Sequence, residues 1–307
     1  MPLLPVWSRF RASEWVLLGF FGYVAILVPF FPNRTRLGNQ PVFLLAGVLI
    51  LFCCFSLAEQ GRLARNVNRI RDWIPLGLIL VAFREMELFV PSHYDLSYEA
   101  AWIRWDRLLL YNWHLRALVE SLGPVIPVYL ELSYLFVYGI GAYCVLILWF
   151  TNGRKGIDSF YVLYLLGTLT AYALFPYFPS LPPRIAFPQI APPDIITPVR
   201  TLNLVLLNGL TIHSGVFPSA HVSSAFSASW AMFLLLPGRK RVGWGLFLYA
   251  VSVSIATIYG RYHYTADVLS GIAVSLVPAL VAVCMRVGWP FAGRAAVAAA
   301  ETESRIE

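Results

Sequence analysis

Long apolar runs separated by short clusters of arginine, lysine, glycine and proline set the pattern of this chain. A helix that crosses a bilayer needs roughly 20 mostly apolar residues. About eight segments meet that criterion. They lie near 15–31, 41–58, 73–90, 126–150, 160–178, 222–236, 243–259 and 267–286. The pattern predicts an all-α integral membrane protein of about eight transmembrane helices, joined as one helical bundle.

Composition points the same way. Hydrophobic residues make up 59% of the 307 residues and charged residues 13%, against about 25% charged in a soluble domain. So few charges cannot cover a water-facing surface of this size. The net charge of +7 does not signal nucleic acid, because the basic residues sit in short loops between apolar runs and form no soluble basic face. Cys53, Cys54, Cys144 and Cys284 all fall inside apolar segments and read as buried thiols. No Cys/His spacing suggests zinc, and no cofactor or metal is expected. The first apolar run follows Arg9 and Arg11 but runs into Pro29 and Pro32 rather than a small-residue cleavage site. It reads as a retained helix.

The loops orient the bundle. RLARNVNRIR at 62–71, GRK at 153–155 and GRKR at 238–241 fall on the same side as Arg9 and Arg11. The rule that basic short loops stay inside makes that side, and both termini, cytoplasmic. Two long loops then lie outside. Residues 91–125 contain LSYEAAWIRWDRLLLYNW, which suits either a helix in the membrane interface or an ordinary connecting helix. Residues 179–221, rich in proline and polar residues, read as a loop without regular structure, of the kind that carries function or is disordered.

The same topology gathers the candidate chemistry at one face. His221 opens the sixth helix in FPSAHVSSAF; Arg261, His263 and Asp267 stand in YGRYHYTADVLSG before the eighth; Arg184 lies in PSLPPRIAFP after the fifth. His263 and Asp267 are four apart, which puts them on one helical face. The carboxylate can accept from one ring nitrogen and leave the other with its lone pair, as in an oriented nucleophile. Asp267 also has a plain reading as a negative charge in the first turn of a helix, and Ser219 as the N-cap of the sixth. Singly, each residue reads as structural. Together they form an anion site with a nucleophile and an acid. Ser223, Ser227, Gly271 and Ser275 give small-residue faces that let the sixth and eighth helices approach. Arg84, Glu85 and Glu87 at the outer end of the third helix either serve the pocket or pair with one another.

PSAH followed by RYHYTAD resembles the type 2 phosphatidic acid phosphatase, or PAP2, superfamily, whose motifs read KxxxxxxRP, PSGH and SRxxxxxHxxxD. Ala220 replaces the glycine of the second motif, and His263 and Asp267 match the third. The resemblance covers roughly residues 73–286, by helix count. It implies a six-helix catalytic core there, a two-helix addition at 1–72 and a cytoplasmic tail at 287–307. The departures are in the arginines and the lysine. Tyr177 stands where the first-motif lysine belongs; the prolines precede Arg184 instead of following it. Thr257 occupies the third-motif arginine position, and Arg261 follows one turn later, either to bind the same phosphate or to mark the interface.

The resemblance implies a lipid phosphate phosphatase acting at the extracytoplasmic face through a phosphohistidine. His263 would attack phosphorus, Asp267 orient it and His221 act as acid, with Arg184, Arg261 and Ser219 on the phosphate. His213 and Tyr177 are possible headgroup contacts. The PPR, PSxH and HYxxD pattern also looks like inositol phosphorylceramide and sphingomyelin synthases, which implies headgroup transfer to a lipid alcohol as an alternative. A transporter or scaffold is a third class. Transporters tend to carry internal repeats and mid-depth charges, whereas the ionisable residues here gather at one face. The expected partners are a lipid phosphate or phospholipid and the bilayer.

Overall fold

The computed structural model describes residues 6–31, 38–59, 64–91, 93–212 and 215–288. Every regular element among them is helical. The α-helices are α1 (Ala12–Leu27), α2 (Gln40–Ala58), α3 (Ala64–Arg71), α4 (Ile74–Glu85), α5 (Ser97–Arg107), α6 (Leu115–Glu120) and α7 (Val125–Phe136). They continue as α8 (Ile140–Asn152), α9 (Ile157–Leu174), α10 (Pro183–Ala186), α11 (Pro198–Leu210), α12 (Ala220–Leu235), α13 (Lys240–Tyr259) and α14 (Thr265–Gly288).

Among the described residues, five stretches are long and apolar enough to cross a membrane: Ala12–Phe30, Gln40–Ala58, Val125–Thr151, Ile157–Tyr177 and Pro237–Tyr259. A 3-10 turn at Val137–Gly139 joins α7 to α8 within the third of these. Ala220–Leu235 and Thr265–Val281 are shorter apolar helices. The expected segment 73–90 is divided, with α4 ending at Glu85 and a 3-10 turn completing it.

α12 is the centre of the bundle, packed against α8, α9, α13 and α14. Small residues allow this. Along α12, Ala220, Ser223, Ser227, Ala228 and Ala231 are all buried. Ser223 Oγ donates to the Gly167 carbonyl of α9 at 2.9 Å, and a Cβ on Gly167 would come within 1.9 Å of Ser227 Oγ. The serines expected to face the last helix therefore bring α12 against α9 instead. The approach to α14 is made by Gly271, where a Cβ would lie 2.5 Å from the Ser219 carbonyl oxygen.

The described residues of the long connections carry helices. α5 turns Glu99, Ile103 and Asp106 inward and leaves Tyr98 and Trp105 exposed. Residues 179–221 are not without regular structure: Thr197 caps α11 by accepting from the Arg200 N–H at 3.1 Å, and α11 packs on α7. The alternation of polar and apolar positions in PVRTLNLVLLNGL makes that helix amphipathic, a period the proline-rich flanks obscured.

Candidate active site

Two helix starts meet at one end of the bundle. α12 begins because Ser219, extended and preceded by Pro218, caps it, its Oγ accepting from Val222 N–H at 3.4 Å. α14 begins at Thr265, where the Asp267 carboxylate reaches back to the Tyr264 N–H at 2.8 Å. The Ser219 N–H donates to the Asp267 carbonyl at 2.9 Å and ties the two starts together. His221 and His263 are carried to each other by these junctions.

His221 Nδ1 lies 3.2 Å from His263 Nε2. On its other side, His263 Nδ1 lies 2.9 Å from the Val216 carbonyl and 3.3 Å from Asp267 Oδ2. Both of those neighbours accept hydrogen bonds, which places the proton on Nδ1 and the lone pair on Nε2. His221 then donates from Nδ1. Burial, reinforced by the nearby His221, holds His263 well below the usual imidazole pKa, so the ring is neutral in the resting site. Asp267 performs both of its expected roles at once: Oδ2 starts the helix and orients the ring, and Oδ1 is buried with no hydrogen-bond partner among the described residues.

The two rings open onto a cavity of about 580 Å³ that reaches between α4, α7, α9 and α12. Its walls are chiefly Ile79, Leu80, Phe83, Val137 and Phe175, with Tyr138, Tyr164 and Tyr172 among them. Arg184 is the cation at its polar end. Tyr134 and Tyr138 hold His221, with ring centroids 5.1 and 5.2 Å away. The arrangement is a neutral imidazole lone pair, a second imidazole and a guanidinium at the mouth of an apolar chamber. That combination can bind a phosphate on an apolar carrier and attack it.

The remaining expected residues scatter. Ser219 is fully buried, and its hydroxyl is engaged in the helix cap. Arg261 is buried with positive φ, pairs with Asp106 and faces a neighbouring, smaller cavity. Tyr177 is exposed, accepts from the Tyr23 hydroxyl at 3.2 Å and does not line the chamber. Arg84 is exposed and Glu85 buried, and neither lines it. His213 lies outside the described residues.

Sequence reasoning passed over a buried polar group beside the site. Glu131 of α7 accepts from Arg200 Nη1 at 2.9 Å, Asn203 Nδ2 at 2.7 Å and the Tyr262 hydroxyl at 2.6 Å. This clamps the residue next to His263 to α7 and α11. A lone carboxylate within the apolar run VIPVYLELSYLF was the available signal, since an ionisable group there needs a partner. Asp106 was likewise unsignalled; it accepts from Thr265 N–H and Oγ1, both at 2.8 Å, and from Arg261.

A profile of the PAP2 superfamily matches residues 100–281, which include Arg184, Ser219, His221, His263 and Asp267. A PA-phosphatase related-family protein of Dictyostelium discoideum is 34% identical over 62 residues, 20% of this chain and 11% of the relative. No solved structure matches. With more than half of its length matched, across the helices that carry both histidines, the chain belongs to the PAP2 superfamily.

Proposed function

We propose that this protein is a membrane-embedded lipid phosphate phosphatase that works through a phosphohistidine. The observation that carries the reading is the 3.2 Å approach of His221 Nδ1 to His263 Nε2 on the wall of an apolar chamber with Arg184 at its polar end. The substrate's phosphate enters between the rings and takes the place of their mutual hydrogen bond, while its acyl chains occupy the chamber. The phosphate's negative charge favours a protonated His221.

His263 Nε2 attacks phosphorus, forming the P–N bond as the P–O bond to the lipid alcohol breaks. His221 gives its proton to the departing oxygen. The ring gains positive charge, which Asp267 offsets through Nδ1–H. Water then attacks phosphorus; His221 takes its proton, a new P–O bond forms, and the P–N electron pair returns to His263. Arg184 carries charge on the equatorial oxygens throughout. Residues 73–286 form the catalytic core in this reading, with the N-terminal helix pair as an addition.

The distribution of basic residues supports placing this end on the extracytoplasmic side. α12 carries His221 in its first turn and runs toward GRKR, and Arg11 and Arg154 cluster around Asp72.

The test incubates purified protein with phosphatidic acid, a polyprenyl diphosphate, and phosphatidylinositol plus ceramide. Phosphate release from either of the first two, lost in His263→Ala, is the expected result. A new phosphorylated ceramide without free phosphate would replace hydrolysis by headgroup transfer.

A further inference from the structure

Arg184, His221 and His263 reach the site on three separate stretches of chain. Each stretch also brings an aromatic ring to a cluster that the chemistry above does not use. Phe178 precedes Arg184, Phe217 precedes His221, and Tyr264 follows His263. Between them stands Trp102 of α5. Its ring stacks on Phe217, with centroids 4.8 Å apart and planes 13° from parallel, and meets Tyr264 at 5.6 Å. Tyr98, one turn earlier, stacks on Trp102 at 5.8 Å and contacts Phe178 at 6.4 Å. Phe178 in turn lies 5.2 Å from Phe217. None of these five rings lines the histidine chamber.

α5 is pinned to the same stretches. Glu99, Trp102 and Asp106 follow at i, i+3 and i+7 and so share one helical face. Glu99 Oε1 accepts from the Leu181 N–H at 2.9 Å, just before Arg184. Asp106 holds the Thr265 N–H and hydroxyl, both at 2.8 Å. Both carboxylates are buried, and they fix where Trp102 stands between them.

The two rings that Trp102 joins bear directly on His263. The residue before Phe217 is Val216, whose carbonyl lies 2.9 Å from His263 Nδ1. Trp102 thus holds the segment that carries the acceptor against the segment that carries the imidazole. The acceptor keeps the proton on Nδ1 and leaves the Nε2 lone pair toward His221, 3.2 Å away. Phe217 also leads into Ser219, the cap of the helix that carries His221. A Phe217 displaced from Tyr264 moves the Val216 carbonyl and the start of α12 together. Aromatic pairs prefer particular ring orientations, so the contact resists rotation as well as separation.

We propose that Trp102 is a positioning residue for the histidine pair. By clamping Phe217 to Tyr264 it keeps His263 in the tautomer protonated at Nδ1, with Nε2 within hydrogen-bond reach of His221. That the pair performs catalysis rests on the phosphatase reading; the clamp itself rests on the ring contacts. Trp102 has no surface in the chamber, so its effect reaches a substrate only through the histidines.

The test uses full-length protein, isotopically labelled at its histidine nitrogens, in lipid bilayers. Solid-state NMR reads the rings, with resonances assigned by His221→Gln and His263→Gln. The wild type is expected to show one His263 tautomer, protonated at Nδ1, and a nitrogen–nitrogen correlation between His221 Nδ1 and His263 Nε2. Trp102→Leu is expected to lose both, and Trp102→Phe, which keeps a ring in place, to retain both. Phe217→Leu removes the same stack from the other side and is expected to match Trp102→Leu, so the proposal stays falsifiable if one of the two fails to fold. In turnover of phosphatidic acid, Trp102→Leu should lower kcat about a hundredfold, the effect of a displacement near 1 Å at reacting groups, and leave KM within about threefold. A wild type without the correlation overturns the proposal. So does a folded Trp102→Leu or Phe217→Leu protein with the wild-type histidine spectrum, or a loss that falls in KM, which would make Trp102 a substrate contact. Because the NMR readout needs no turnover, a protein that released no phosphate would defeat the catalytic reading and still decide this one.

Discussion

Charges are buried at both ends of the bundle, and they are treated in opposite ways. At the end where α1, α3 and the start of α9 meet, Arg71 pairs with both Glu14 and Glu59, and Asp72 pairs with both Arg11 and Arg154. Asp158 accepts from the Ala12 and Ser13 N–H groups and the Ser13 hydroxyl, closing the start of α1. At the other end the histidines face each other beside a cavity, and among the described residues Asp267 keeps one oxygen unpartnered and Arg261 two nitrogens. A closed network of pairs fixes the relative position of helices. An open one holds binding capacity in reserve, at a cost in stability that the surrounding fold must offset. The first end is a fastening and the second is the candidate site.

The sharpest way to break this contrast is to remove one group at each end. His263→Ala is expected to reduce phosphate release by at least about a thousandfold, since it deletes the proposed nucleophile. Its melting temperature should stay within a few degrees of wild type. Arg71→Met should do the reverse. It strands Glu14 and Glu59, at about 3–5 kcal/mol, and chemical denaturation should show the loss while turnover per folded molecule persists. If Arg71→Met abolished turnover in folded protein, the division between fastening and site would fail.

Gly271→Ala tests the junction itself. Its Cβ would meet a backbone oxygen, not a side chain that can turn aside. The helix starts must separate, and a displacement near 1 Å at reacting groups lowers turnover about a hundredfold. Steady-state kinetics should place the loss in kcat. Gly167→Ala overpacks α12 against α9 farther from the rings, and is expected to be destabilising by about 1–3 kcal/mol in equilibrium unfolding.

The smallest expected effect is on pH dependence. His263 has a pKa below its unfolded value, so below about pH 6.5 the unfolded chain binds a proton that the folded chain refuses. Folding stability therefore falls as pH drops from 6.5 toward the folded pKa and is unaffected by this group above 6.5. Melting curves of wild type and His263→Gln between pH 7.5 and 5 should converge as pH falls, because the variant lacks this term.

PSAH and RYHYTAD were legible as a pair because topology alone brings the start of one helix and the end of its successor to the same face. The local roles of Ser219 and Asp267 were legible too, since capping acts within three residues. The partners of Ser223 and Ser227 were not, because an i, i+4 stripe shows that a helix approaches something and not which helix. Arg261 was legible as a candidate by its nearness to His263; its positive φ and its pairing with Asp106, 155 positions earlier, were not. α11 was hidden because prolines and polar residues around 179–198 masked the helical period that begins at Thr197.

By itself, the order of apolar runs and charged loops determined that this is a helical membrane protein with its reactive residues at one end. Hydropathy and short-range capping depend on residues close in the chain, so they can be read in order. Only the tertiary structure decided that His221 and His263 touch, that Arg184 borders two cavities and that Arg261 is buried against Asp106. Those facts depend on the distances and angles between helices, which are set by side-chain packing among segments far apart in sequence.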